Sequence, residues 1–148
     1  MSDTTEGRMS ATERAAVKAR SAELRAEKKR AAAEDKAAAE LQDVLDAIAK
    51  LPDDERAVAE RVHAVVLDAA PQLQARTWYG MPAYALDGKV ICWFKNASKF
   101  RDHYNSLGFE NAATLDEGTM WPIVYAITDI SAADEERIAA LVTRAVGS

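Results

Sequence analysis

From Ser10 to Leu51 the chain contains no Gly or Pro, and Ala, Glu, Lys, Arg and Leu dominate it. These are strong helix formers. Ser10 and Glu13 make a capping box that would start the helix. One unbroken helix of that length would run about 60 Å at 1.5 Å per residue. Either its first half projects from a domain of this size, or the chain bends near Glu34-Asp35-Lys36. The two halves differ in what they can bury. Leu41, Val44, Leu45, Ile48 and Leu51 form an amphipathic stripe that calls for a core. Between residues 11 and 36 the only large apolar side chains are Val17 and Leu24. A helix with so little to bury gains little from tertiary packing. The pattern therefore predicts a polar tail over residues 1–9, a loosely attached helical arm over 10–40, and a folded domain over 41–148.

Pro52 opens a second helix at a position where its missing N–H costs nothing. Asp53, Asp54 and Glu55 complement the positive end of that helix, while Val58, Val62, Val65, Val66 and Ala69 supply its apolar stripe. Pro71 lies just past its end. The period then changes from helical to alternating. Thr77–Tyr79 reads as a short strand, Gly80-Met81-Pro82 as a turn, and Ala83–Leu86 as a second strand. Asp87-Gly88 is a strong hairpin signal, and Lys89–Lys95, apolar on both faces, reads as a central strand. Phe100–Asn105 alternates like a half-exposed strand, and residues 106–118 read as a polar loop. Thr119–Ile127, interrupted by Pro122, reads as an edge strand. Ser131, with Asp134 in the box position, would cap a closing helix that buries Ile138, Leu141, Val142, Ala145 and Val146. Two or three helices, a meander of about five strands and one closing helix predict an α+β fold with a curved antiparallel sheet.

Composition and charge narrow the partners. A single cysteine, Cys92, excludes an internal disulfide and a cysteine-based zinc site. A polar N-terminus and the lack of any apolar run near 20 residues lead to the expectation of a cytoplasmic chain with no membrane association. The net charge of −5 disfavours polyanion binding by the whole protein, so nucleic acid is not the expected partner. The charge is uneven, however. Residues 8–50 carry 10 Lys+Arg against 8 Asp+Glu, and residues 51–148 carry 9 against 14. On a helical projection Arg14, Lys18, Arg25, Lys29 and Lys36 fall within about 60° of one another. That stripe could dock on an acidic partner, or simply be solvated.

No phosphate-binding glycine loop, His-Glu-x-x-His or Gly-x-Ser-x-Gly motif occurs. His63 and His103 read as boundary or surface residues, and Cys92 as a buried thiol. Asp53-Asp54-Glu55 and Asp116-Glu117 offer oxygen ligands to a hard cation, with helix-dipole complementation and a solvated loop as the plainer readings. The aromatics are the best signal for a ligand. Trp78, Tyr79, Tyr84, Trp93, Tyr104 and Trp121, with Met81 and Pro82, would either fill a core or line a pocket.

The segment from Leu51-Pro52 to the closing helix resembles the YdhG-like domain family. The matching residues are Ala69-Ala70-Pro71, Tyr79-Gly80-Met81-Pro82-Ala83-Tyr84, Asp87-Gly88-Lys89, Trp93-Phe94 and Gly118-Thr119. The resemblance implies a compact α+β domain and, because some members are labelled frataxin-like iron chaperones, a role for iron. It carries no ligand motif over position by position. The loop from Ser106 to Glu117 stands where many relatives have a longer helical insert. The expected function is thus a small binding domain, with an aromatic-lined pocket or face, for a small molecule or protein partner. It would be monomeric or weakly dimeric and need no cofactor. A weak iron chaperone and an arm-mediated interaction protein are the alternatives.

Overall fold

A computed structural model describes residues 10–147, so the tail expected over residues 1–9 lies outside the described residues. Ser10 Oγ accepts from the backbone N–H of Glu13 and starts helix α1, Ala11–Ala49. The helix continues without interruption through Glu34-Asp35-Lys36. The chain divides into two compact units between Lys36 and Ala37. In the first unit every described side chain except Ser21 is exposed, Val17 and Leu24 included.

The second unit is three helical segments against one sheet. The end of α1 buries Val44 and Ile48. Helix α2 (Asp53–Ala69) buries Val58, Ala59, Val62 and Val66. Helix α3 (Ala132–Ala145) buries Ile138, Val142 and Ala145. The expected capping box is present: Ser131 Oγ accepts from the Asp134 N–H, and the Asp134 carboxylate accepts from the Ser131 N–H. The stripe on α1 is narrower than its spacing predicts, because Leu41 and Leu45 stay exposed.

Five strands follow in an antiparallel sheet whose spatial order is their chain order, β1-β2-β3-β4-β5. They are β1 (Gln74–Trp78), β2 (Met81–Leu86), β3 (Lys89–Lys95), β4 (Asn105–Phe109) and β5 (Val124–Ile127). The α+β class, the five-strand antiparallel sheet and the flanking helices are as the sequence predicts. Asp87-Gly88 closes the β2–β3 hairpin between paired Leu86 and Lys89, with φ of 50° and 81°. Two positive φ values are what a type I′ turn requires.

Three boundaries differ from expectation. The first turn is Tyr79-Gly80 (φ 51° and 74°), closed by the Trp78–Met81 pair, so Met81 and Pro82 belong to β2. Pro82 is tolerated there because the β2–β3 ladder begins only at Ala83–Trp93. Of the strand expected over Phe100–Asn105, only Asn105 lies in one. Glu55 explains why. Its Oε1 accepts from the Ser98 N–H, the Ser98 hydroxyl and the Asn96 amide at 2.8–2.9 Å. This holds Ala97–Lys99 in a 3₁₀ turn. The strand restarts at Asn105, which is buried and tied at both ends: Oδ1 accepts from the Ala97 N–H and Nδ2 donates to the Ile127 carbonyl. Residues 106–109, expected in a polar loop, therefore continue from Asn105 as a fully buried strand. The last strand begins at Val124 rather than Thr119, and lies at the sheet edge as Pro122 suggests.

Candidate functional site

Cross-strand partners share a face of the sheet, so the register assigns each aromatic a side. Tyr84, Cys92 and Phe109 form one row, and Phe94, Leu107 and Tyr125 the next. These rows meet the helix stripes in the core. On the opposite face, Arg76, Ala83, Trp93, Gly108 and Val124 make a row across all five strands. The Trp93 indole lies directly on Gly108. A Cβ added at Gly108 would sit 2.0 Å from its Cζ2. The indole N–H donates to Glu110 Oε2 at 3.0 Å, which fixes the ring in place.

Glu110 is also the first residue of a loop that leaves the sheet and returns beside it. The Phe109 N–H donates to the Ile123 carbonyl at 2.7 Å, closing residues 110–122 into an Ω-type loop. The far side of the loop is pinned to the end of α3. There the Thr114 N–H donates to the Ala145 carbonyl, its hydroxyl donates to the Arg144 carbonyl, and Arg144 Nη2 donates to the Leu115 carbonyl. Along this loop runs a half-open depression of about 570 Å³, lined by Phe109, Glu110, Leu115, Asp116, Trp121 and Ile123 among others. Phe109 and Leu115 are buried and Trp121 is half-buried against the core.

Compared with protein-family models, curated proteins and solved structures, the chain matches none. The YdhG-like resemblance thus rests on its sequence motif alone.

The candidate aromatics are dispersed. Tyr84 is fully buried and fills the core; Pro82 is also buried. Tyr79 stands 78% exposed at the hairpin tip, edge-on to half-buried Trp78. Trp78 pairs with Met81 at the end of the first hairpin, Trp93 covers Gly108, and Tyr104 packs edge-on with His103. Trp121 lines the depression along the Ω-loop, as does Asp116. The sequence treats those two residues as members of different sites.

The acidic runs are also separated by function. Glu55, 7% exposed, is the anchor of the 3₁₀ turn. Burial works against its charge, but the hydrogen bonds from Ser98 and Asn96 outweigh this and hold its pKa below the usual carboxylate value. Asp53 pairs with Arg56, and Glu117 pairs with Arg144. Among the described residues no group of three or more His, Cys, Asp or Glu is placed to share a metal ion. This donor set does not fit an iron centre. Arg14, Lys18, Arg25, Lys29 and Lys36 are exposed on α1. No described helix is long and apolar enough to cross a membrane.

One polar contact was not legible in the sequence. His63 Nδ1 and the Tyr84 hydroxyl share a hydrogen bond of 2.8 Å, linking α2 to the middle of the sheet. Burial lowers the His63 pKa and raises that of Tyr84. It also pushes the Cys92 thiol up to about 12. At neutral pH the phenol and thiol therefore stay protonated, and neither is an activated nucleophile.

Proposed function

We propose that the chain is a small binding domain whose ligand occupies the cavity under the 110–122 loop. The supporting observation is that half-buried Trp121 and buried Phe109, Ala113 and Leu115 line one half-open depression of about 570 Å³, with Glu110 and Asp116 also among its lining residues. Sites for small molecules generally combine an apolar lining with a few placed polar groups. The loop that supplies most of its lining is held by backbone hydrogen bonds from Phe109 to Ile123 and from Thr114 to Ala145. The same reading accounts for Trp93 as a support. Its N–H holds Glu110 at the cavity rim while its ring seals the sheet over Gly108. The motif resemblance to YdhG-like domains agrees with a compact α+β binding domain; its suggestion of iron has no donor set behind it.

The test is a fragment screen followed by amide and indole NMR shifts. Binders should perturb Leu115, Ile123 and the Trp121 indole together. Ala113 is buried beside them, and Ala113→Leu, which fills part of the cavity, should abolish those shifts in a protein that still melts cooperatively. Hits that map elsewhere, or that survive Ala113→Leu unchanged, would refute this assignment.

A further inference from the structure

The sheet face turned away from the helices gathers positive charge that the rest of the domain lacks. Residues 51–148 carry 9 Lys+Arg against 14 Asp+Glu, yet four of the nine, Arg76, Lys95, Lys99 and Arg101, belong to this face and its end. Trp78 and Lys95 stand two residues on from Arg76 and Trp93 in their strands, so all four side chains share it. Lys99 reaches the same end, where its Nζ donates to the Tyr79 carbonyl at 2.8 Å. The Lys95 ammonium lies over the Phe100 ring, 5.3 Å from its centroid. Among the described residues only Lys95 of these four cations has an ion pair, with Asp102 at 3.3 Å. A second carboxylate, Glu110, touches the face at the Trp93 N–H.

Two rings stand out into solvent among these charges. Tyr79 is 78% exposed and Phe100 64%, so neither serves the core. The turn does not call for Tyr79 either, because a type I′ turn favours Asn, Asp or Gly at its φ of 51°. Exposed rings beside unpaired cations match a partner that brings both phosphates and open base faces. An acidic peptide would use the charges and leave the rings bare, and a duplex would keep its base faces stacked. We propose that this face binds single-stranded nucleic acid, with Tyr79 and Phe100 as stacking platforms and Arg76, Lys99 and Arg101 as phosphate contacts. The net charge of −5 opposes this only weakly, since exposed charges more than about 8 Å away are largely screened at physiological salt. The face is separate from the depression along the Ω-loop, which none of these residues lines.

The probe is a fluorescein-labelled oligo-uridine of about ten nucleotides, titrated with the full chain and read by anisotropy at several salt concentrations. Binding should weaken as salt rises. Unlabelled oligo-uridine should displace the probe, and a duplex of the same length or poly-glutamate should do so far less well. Tyr79→Asn suits the turn, and it should weaken binding about fivefold or more, as loss of a stacked base predicts, with the salt dependence unchanged. Arg101→Gly suits the positive φ of 60° at that position. It should weaken binding and reduce the slope of log K against log salt by about 0.7, the share of one phosphate contact on a single strand. Both variants should melt close to the parent, which separates lost binding from lost folding. No binding by the parent, or poly-glutamate competing as well as the oligonucleotide, would overturn the proposal. So would binding that both variants retain; its loss in a Lys18→Gln, Lys29→Gln double variant would place the contact on helix α1 instead.

Discussion

Replacing Gly108 by alanine would place a methyl group where the Trp93 indole now lies, 2.0 Å from Cζ2 and 2.3 Å from Cε2. No real Cβ tolerates such an approach, so either the indole lifts or the strands part. Gly108 does not have a positive φ, so the cost comes from lost space and not from backbone strain. Overpacking in a well-packed site typically costs about 1–3 kcal/mol. Lifting the indole also breaks its bond to Glu110 Oε2, and a hydrogen bond to a charged acceptor contributes about 1.5–3 kcal/mol before solvent replaces it. Because the indole is half-exposed, water recovers part of that second loss. We expect Gly108→Ala to destabilise the domain by about 2–4 kcal/mol. For a unit of this size that lowers Tm by roughly 8–20 °C. The assay is thermal and urea unfolding followed by circular dichroism, with the Trp93 indole proton followed by NMR. The discriminating measurement is a double-mutant cycle with Trp93→Ala. Once the ring is gone, Gly108→Ala should cost less than about 1 kcal/mol, giving a coupling energy of about 1–3 kcal/mol. A cost that is the same with and without Trp93, or that is below about 0.5 kcal/mol in the parent, would refute the reasoning.

Two further outcomes concern buried polar groups. Burial depresses the His63 pKa, so the folded state favours neutral imidazole. Its contribution to stability is complete above the ordinary histidine value near 6.5 and declines as pH falls through that value toward the lower folded one. Urea midpoints taken between pH 8 and 5 should show that decline, and His63→Gln should flatten it; an unchanged slope in the variant would remove His63 as its source. The Glu55 pKa is also depressed. Its contribution is present above the usual carboxylate value and is lost as pH falls below it. Glu55→Ala leaves Ser98 and Asn96 donors without their acceptor and should cost about 2–4 kcal/mol. In a hydrogen-exchange experiment protection should be lost first at residues 96–99; uniform loss across the sheet would count against a local anchor.

Local rules were enough to read the helices and the second hairpin. Pro52, Pro71, Ser131 with Asp134, and Asp87-Gly88 each act on residues a few positions away, and the structure places each where those rules require. The misread stretches all depend on contacts far along the chain. Phe100–Asn105 alternates like a strand, yet Glu55, more than forty residues earlier, captures the backbone at Ser98 and delays β4 to Asn105. Ser106 and Gly108 looked like loop residues because their composition is polar or small, and Asn105 like the exposed end of a strand. Asn105 is instead consumed by backbone groups of two other segments, and Gly108 is required by the ring of a partner strand. Composition cannot distinguish a small residue that solvates a loop from one that admits an indole.

The same limit explains the site. The Trp78–Tyr84 stretch concentrates aromatics because it is a hairpin and a core strand: Tyr84 fills the interior and Tyr79 caps the turn. Concentration in sequence is therefore a poor guide to convergence in space. Trp121 and Asp116 read as members of different sites and come to line one depression because two short ties, Phe109 to Ile123 and Thr114 to the end of α3, hold that loop beside the sheet. A signal for this was present. A stretch of more than ten residues that carries a tryptophan and three acidic side chains between two strands is longer than a hairpin needs. Such length is retained when a loop encloses something. Here the loop brings Leu115 and Trp121 beside Phe109 along one half-open depression.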